Sequence, residues 1–492
     1  MHALPSQLSS SAVIAVATLL HFAYLFVTPF DLSPDEAHYW DWSRNLDWCY
    51  YSKGPLVAWL IRASCELFGH SAVAVRIPAV ACHALLIAAL ATLSNRRTLL
   101  LALTLPPVSA TAFLMTIDAP LLAAWAWALV FVRRERWLAA GACVAVGVLA
   151  KYTMLLFPAC VGFYLLAVRP QSLRERGYWL MLAVGLLGTL PILAWNFAHG
   201  GLGVRHVATQ AGVAQGWHWL GPLEFVGSQF VLLAGVWFCA GCAAVRKYPR
   251  DAEDRYFWWI TVPVVAIVFA ASFATRTQPN WAAPAYLTGF ILAVRWLDAQ
   301  PARFGQTFIA LGVGVGVAAS AFAHFPSSLR PLLATLAPPP CDADPAPVRK
   351  LDPTSRLMGW RHLASEVDAI RTRVETDTGI APQLAAMVWT TPGELGFYAR
   401  GTPQVYSFGT ALADRTSQYD VWRPNPIADA QAFRGQTFVY VGEVGPNLLA
   451  AFDRIDPPAV VVYRENGVPL ASWKVRVCWG FRGFPELPPA RY

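Results

Sequence analysis

The chain has 492 residues, 56% of them hydrophobic and only 14% charged, with a net charge of +8 and a mean hydropathy of +0.42. That balance excludes an ordinary soluble enzyme of this length and implies an all-α polytopic membrane domain with a smaller soluble part. The basic surplus sits in small clusters between apolar runs, where the orientation of membrane helices accounts for it, so nucleic acid is excluded as a partner.

A hydrocarbon core of about 30 Å takes roughly 20 apolar residues per helix, and such runs recur from Ser11 to Phe325, about eleven in all. They read as spans 11–30, 73–93, 98–115, 119–132, 137–152, 154–168, 178–196, 222–245, 256–273, 281–294 and 306–325. The first has no Lys or Arg before it and no small-residue cleavage pattern after it, so it reads as a retained anchor rather than a signal peptide. Placing Arg96, Arg97, Arg133, Arg134, Arg136, Arg169, Arg246, Lys247 and Arg295 in the cytoplasm puts every second loop inside. The N-terminus is then cytoplasmic, and the loops at 31–72, Thr116–Asp118, Lys151–Thr153, Asn196–Leu220 and Thr275–Asn280 share the outer face.

Beyond this membrane domain (1–326), "LAPPPCDADPAP" marks a Pro-rich linker over 327–350. Residues 351–492 read as a soluble α/β domain that an odd number of spans exports to the periplasm. Within it "RLMGWRHLASEVDAIRTRVET" has a helical period, "LAAMVW", "TFVYVGEV" and "AVVVYREN" read as strands, and "NGVPLASWKVRVCW" as a closing hairpin. Of nine cysteines, Cys341 and Cys478 alone lie in this domain, where an oxidising compartment permits a bridge. Cys239 and Cys242 form a C-x-x-C inside an apolar span with no neighbouring His and read as packing residues.

The outer loops hold the chemistry. In "SPDEAHYWDW", Ser33 as N-cap, Pro34 at the first helical position and Glu36 three residues after the cap make a capping box. Asp35 then points elsewhere, with His38, Tyr39 and Trp42 on its side of the helix. The aromatic run Tyr39, Trp40, Trp42, Trp48, Tyr50, Tyr51 and Trp59 reads as an interfacial belt laying that helix on the bilayer. Lys53 goes against the orientation rule on the outer face, and an ammonium at headgroup level suits a phosphate. Asp118 would cost roughly 2.5–3.5 kcal/mol at mid-membrane, so it is an N-cap opening a span or a working acid at the surface. Lys151 is a second outer cation. Asn196, His199, His206, Arg276, Gln278, Asn280 and Trp281 each read, taken singly, as interface residues before ligands. No metal-ligand spacing is present; a spatial trio of Asp35, His38 and Asp118 is the one way left to hold a divalent metal, and no other cofactor is implied.

Taken in order, "DEAHYW…YYSKGPLVAWL", "TIDAPL", "GVLAKYT" and "AWN" resemble the polytopic C-type-fold glycosyltransferases that use polyprenyl-phosphate sugars. Within these the chain is similar to the protein O-mannosyltransferase and lipid A aminoarabinose transferase superfamily, and nearest to bacterial lipopolysaccharide galacturonosyltransferases. The resemblance implies that Asp35 is the catalytic acid with Glu36 beside it, that Asp118 is a second acid, and that Lys53 meets donor phosphate. Gly54, where many relatives carry proline, departs from the pattern and loosens the backbone next to Lys53. Lys151 and Arg276 join Lys53 as candidate phosphate ligands, and His38, Tyr39, Tyr51, Asn196 and Asn280 complete the candidate substrate-binding set. The implied reaction moves one sugar from a polyprenyl phosphate to an envelope acceptor (lipid A, lipopolysaccharide, another glycolipid or protein) on the outer face of the bacterial inner membrane. A transporter or flippase of lipid-linked sugars is the alternative; it would call for charged or broken helices at mid-membrane and internal repeats, which the sequence does not display. An envelope scaffold led by the soluble domain leaves Lys53 and Asp118 unexplained.

Overall fold

The computed structural model describes residues 9–210 and 216–489. The chain divides into two compact units. One is built from the first helix and Asp47–His324, the other from Thr28–Leu46 together with the chain from Phe325 onward.

The first unit is helical. Among the described residues, Ser10–Val27, Ala72–Leu93, Arg176–Ala198, Ala252–Ala271 and Ala302–His324 are long and apolar enough to cross a membrane. Apolar side chains surround these helices instead of forming one stripe, as expected of helices whose outer faces meet lipid; Leu19, Leu20, Phe26 and Val27 stand exposed on the first. Asp118–Arg133, Trp137–Ala150 and Leu156–Val168 match expected spans but have 16, 14 and 13 residues, at most about 24 Å at 1.5 Å per residue. The expected span 98–115 is instead two short helices, Arg96–Ala102 and Pro106–Ala110, because Pro106 and Pro107 cannot continue a hydrogen-bonded ladder. The run at 222–245 is also broken, into Gly221–Leu232 and Val236–Val245 bent by 114°, at a corner where Ala234 and Gly235 have φ of 51° and 62°. Hydropathy counts apolar residues and cannot see either break. Among the described residues five of the apolar runs are thus helices that cross by length and composition, or six with the bent pair, and others form shorter apolar helices.

Charge separates along these helices. Arg133 pairs with Glu253 at 2.6 Å, and Arg295 with Glu253 at 2.7 Å and with Asp254. Asp118 opens the helix that Arg133 closes, and Asn280 lies in the turn before Ala283–Asp298, which carries Arg295 in its last turn. Asp118 and Asn280 thus sit at the ends opposite the arginines.

The second unit holds a six-stranded sheet of β1 (Gln383–Ala386), β2 (Val405–Ser407), β3 (Phe438–Val441), β4 (Phe452–Ile455), β5 (Ala459–Glu465) and β6 (Val468–Phe481). The order is β2-β1-β3-β6-β4, with β5 pairing β6; β1 runs parallel to β2 and β3, while β6 is antiparallel to its partners. The β5–β6 hairpin turns at Asn466 and Gly467, both at positive φ (49° and 81°), the conformation a two-residue I′ turn demands. The helix Trp360–Thr378 covers one core, through Trp360, Leu363, Ala364 and Val367 against Leu384, Val439 and Val475. A second core is aromatic, with Phe408, Phe433, Phe438, Tyr440, Phe452 and Phe481.

Residues 327–350, read from composition as a linker, carry a helix at Arg330–Leu336 and bury Pro347 and Val348. Arg330, 2% exposed, reaches Asp352 at 3.0 Å and also pairs with Glu465. Proline fits the first turn of a short helix as well as a linker, so composition alone does not distinguish the two. Cys341 and Cys478 are not bridged: Cys341 is exposed and Cys478 is buried in β6, opposite Phe438. Cys239 and Cys242 are exposed instead of packed.

Residues 28–46 belong to this second unit. Asp31 accepts the Trp360 N–H at 2.8 Å and pairs with Arg361 at 2.9 Å, its own N–H donates to Leu357 O at 2.9 Å, and the Leu32 N–H donates to the Tyr398 hydroxyl at 2.7 Å. The segment carrying the paired acids is therefore folded with the C-terminal chain.

Candidate active site

In the second unit the helix Pro34–Arg44 starts as its sequence dictates. Ser33 Oγ accepts the Glu36 N–H at 3.2 Å and Glu36 Oε2 accepts the Ser33 N–H at 2.9 Å, closing the capping box. Glu36 is wholly buried, whereas Asp35, beside it in the first turn, is exposed. Of the two acids, only Asp35 is exposed. His38 is 5% exposed and engages both ring nitrogens within the protein, with Trp42 Nε1 at 3.1 Å and the Tyr419 hydroxyl at 3.2 Å. Tyr39 is buried with its ring against Trp42.

The expected aromatic belt is corrected by these positions. Tyr39, Trp40, Trp42, Tyr50 and Tyr51 are all at most 5% exposed and pack into protein. Trp48, 63% exposed, is the ring that keeps an outward face. Spacing along a helix shows which rings share a side, but not whether lipid or a second layer of chain covers them.

In the first unit Asp118 is the first residue of its helix, but the N-cap position belongs to Ile117 and no side-chain cap bond forms there, so the capping reading fails. The carboxylate instead accepts from Lys151 Nζ at 2.8 Å and from Asn280 Nδ2 at 2.6 Å. Lys151 ends the helix Trp137–Ala150 in an extended conformation, which turns its side chain back toward Asp118. The pair is enclosed, with side chains 9% and 14% exposed. An acid, an amine and an amide from three segments thus meet at one end of the helical unit.

The Lys53 loop docks beside them. A β carbon on Gly54 would lie 2.2 Å from Leu149 O, so the loop backbone rests directly on the turn before Lys151. Glycine here permits a close approach, where the sequence suggested a loosened backbone. Cys49 Sγ lies 3.6 Å from the Tyr152 hydroxyl, and the Tyr50 N–H closes the loop onto Lys53 O at 3.1 Å. Asp47, which the sequence reading did not single out, anchors its start by accepting from Trp195 Nε1 at 2.7 Å. Lys53 itself is half-buried.

The remaining candidates divide. Asn196 accepts the Val204 N–H at 3.0 Å and donates to Ile192 O at 2.9 Å, work that builds a helix corner. Tyr51 is buried with its ring 4.8 Å from that of His206. Arg276 is exposed. Among the described residues no group of three or more His, Cys, Asp or Glu has metal-holding geometry, and the Asp118 oxygens and His38 nitrogens already have partners within the protein.

Comparison with known proteins follows the same segments. The family model described as dolichyl-phosphate-mannose-protein mannosyltransferase matches residues 52–195, the stretch holding Lys53, Asp118 and Lys151. The lipid A galacturonosyltransferase RgtD of Rhizobium johnstonii is 32% identical over 320 residues, 59% of this chain and 66% of the relative, so the match spans just under two thirds of that protein. The crystal structure of ArnT from Cupriavidus metallidurans bound to undecaprenyl phosphate superposes with a TM-score of 0.62 at 19% identity, covering 94% of this chain and 97% of that one. Its apo form gives 0.61 at 18%, over 94% and 96%. The fold is therefore the C-type glycosyltransferase fold of ArnT, and the matched segment 52–195 is similar to the mannosyltransferase family model.

Proposed function

We propose that the chain is a membrane glycosyltransferase that takes one sugar from a polyprenyl-phosphate donor and transfers it to an envelope acceptor on the outer face of the inner membrane, with a cytoplasmic N-terminus and a periplasmic C-terminal domain. The observation that carries this reading is the enclosed Asp118–Lys151–Asn280 cluster with the Lys53 loop seated beside it. A polyprenyl chain holds its sugar phosphate at the bilayer surface, each buried methylene contributing about 0.8 kcal/mol, so amines at helix ends are where the phosphate arrives.

In the proposed step the acceptor hydroxyl oxygen attacks the anomeric carbon and the carbon–oxygen bond to phosphate breaks, its electron pair staying on the phosphate. Asp35, presented on a capped helix, takes the hydroxyl proton. Lys53, with Lys151 and Arg276, stabilises the charge that develops on the departing phosphate. Asp118 orients Lys151 through their ion pair, and Asn280 holds the second carboxylate oxygen. Direct displacement inverts the anomeric centre and consumes no nucleotide sugar.

The relative named for lipid A galacturonosyl transfer supports galacturonic acid as the first sugar to test and lipid A as the first acceptor. The broken pair Gly221–Leu232 and Val236–Val245 is a feature a transporter would use. It lines an apolar cavity of about 330 Å³ with Phe225, Trp237 and Phe290 and no charged side chain, which does not favour that reading. Purified protein in vesicles, given polyprenyl-phosphate galacturonate and lipid A, should yield lipid A heavier by one uronic acid. Movement of the donor across the bilayer with no mass gained by any acceptor, whichever hexose, pentose or uronic acid is offered, would overturn the proposal.

A further inference from the structure

The helix Pro34–Arg44 carries Asp35 on its first turn and, one to two turns later, buries His38, Asp41 and Trp42, which are 5%, 3% and 0% exposed. The polar atoms of these three form one directed chain. Trp42 Nε1, which can only donate, faces His38 Nε2 at 3.1 Å, so the proton of His38 is on Nδ1. Nδ1 donates to the Tyr419 hydroxyl at 3.2 Å, and the Asp41 carboxylate, which that hydroxyl pulls downward against burial, faces it from the next turn of the helix. Arg44 holds the same carboxylate at 3.3 Å. The chain leaves the helix at His38 and returns to it at Asp41 through one residue of the C-terminal domain.

Tyr419 is itself fixed. It lies in the turn Gln418–Val421, closed by a capping box between Ser417 and Asp420 and tied to Thr410 by Asp420 at 2.5 Å. The helix Pro392–Tyr398 seats on the same target, since a β carbon on Gly393 would lie 2.7 Å from the Ala37 carbonyl. Apolar packing of two helices tolerates small rotations, whereas a buried polar chain is fully satisfied in one arrangement.

We propose that Tyr419, through His38 and Asp41, sets the rotation of the Pro34–Arg44 helix and so the aim of Asp35, making these three positioning residues and the C-terminal domain a working part of the transferase. The proposal rests on Asp35 being the base. It assigns His38 to orientation of the helix and not to substrate binding.

The charged surroundings agree with this wiring. Burial, with the Arg415 charge nearby, brings His38 down to about 3, which keeps the imidazole neutral as its tautomer requires. Burial raises Asp41 to about 6, against the opposing pull of Arg44 and of the Tyr419 hydrogen bond. The other groups facing this chain are Glu394, from the helix Pro392–Tyr398, and Arg415, stacked over Trp389; Asp420 is turned to Thr410 and Ser417. Because the packed helix holds Asp41 above its ordinary carboxylate range, protonating Asp41 favours the packed arrangement, and the helix is held less firmly as pH rises through 6.

The test uses the full-length protein in detergent. Tyr419→Phe should lower kcat by roughly tenfold or more with the donor KM unchanged, and should speed amide exchange across residues 34–44 at least severalfold while the β-sheet exchanges as before. Asp41→Asn, locked in the neutral state, should show at every pH the kcat that wild type shows below pH 6, with no further change through that region. Unaltered exchange over 34–44 in Tyr419→Phe, or a step in kcat near pH 6 that survives in Asp41→Asn, would overturn the relay. The exchange measurement needs no turnover, so it judges the relay even if Asp35 proves not to be the base; Asp35→Asn with full activity would instead sink the reading of Asp35 and leave the exchange result standing.

Discussion

Replacing Gly54 by alanine gives the sharpest view of how the Lys53 loop is held. The added carbon would lie 2.2 Å from Leu149 O and 2.8 Å from Leu149 C, whereas carbon and carbonyl oxygen ordinarily meet no closer than about 3.3 Å. Something must yield by about 1 Å, and because both clashing atoms are backbone, no side chain can rotate away. The displaced element is either the loop bearing Lys53 or the helix end before Lys151, and both carry amines assigned to the donor phosphate. A misplacement of about 1 Å in a positioned group can cost about 100-fold, and the strain itself about 1–3 kcal/mol of stability. Gly54→Ala should therefore lower kcat/KM for a polyprenyl-phosphate sugar by about two orders of magnitude in a donor titration, with the protein still eluting as a folded species. Gly54→Pro, which brings a larger ring to the same close approach, should fall as far or further. A kcat/KM within twofold of wild type for both variants would refute the close-approach argument.

Removing one partner of an enclosed ion pair strands the other, at a typical cost of about 3–5 kcal/mol. Lys151→Met should destabilise the membrane unit by about that much in detergent unfolding, and Asp118→Asn combined with Lys151→Met should cost less than the sum of the two single changes; strict additivity would show that the pair is not coupled. Arg330→Met, which leaves Asp352 and Glu465 without their shared cation, should lower stability by a similar amount, and a change below about 1 kcal/mol would show that this trio holds nothing. Asp41 titrates in the folded protein near 6, above the ordinary carboxylate value. The folded state therefore binds the extra proton between about pH 4 and 6, and the stability from this group is present at the acid end of that window and lost as pH rises through 6. Asp41→Asn should remove this component from the difference between melts at pH 4.5 and pH 7; an Asp41 contribution of the opposite sign would contradict the buried placement.

Much of this was legible in the sequence because it is local. The capping box at Ser33 and Glu36, the helix near 360–378 and the Asn466–Gly467 hairpin follow from residue types at fixed spacing, and a wrong choice at any of them would have been visible within a few residues. The polar residues between the apolar runs were legible one by one, but their partners were not: Lys151 and Asn280 lie 33 and 162 positions from Asp118, and no periodicity links them. The aromatic run was misjudged for the same reason, since its rings are covered by chain that arrives hundreds of residues later. Asp41 and Tyr419 escaped altogether. The one signal available for Asp41 was an acid two residues after Tyr39 in an otherwise aromatic turn, and for Tyr419 the "SQYDVW" stretch, whose S-x-x-D spacing marks a helix start but not what the tyrosine meets. Gly54 was read with the wrong sign, because a missing side chain signals freedom or close approach equally and only the neighbouring Leu149 carbonyl decides between them.

The central claim is that Asp35 removes the acceptor's proton during sugar transfer from a lipid phosphate. It is tested most directly by a single-turnover reaction of wild type and Asp35→Asn with the same polyprenyl-phosphate sugar and lipid acceptor, alongside a donor-binding measurement. Asp35→Asn should bind donor within a few-fold of wild type and melt at a similar temperature, yet transfer sugar at least 100-fold more slowly. Transfer by Asp35→Asn at the wild-type rate would contradict it.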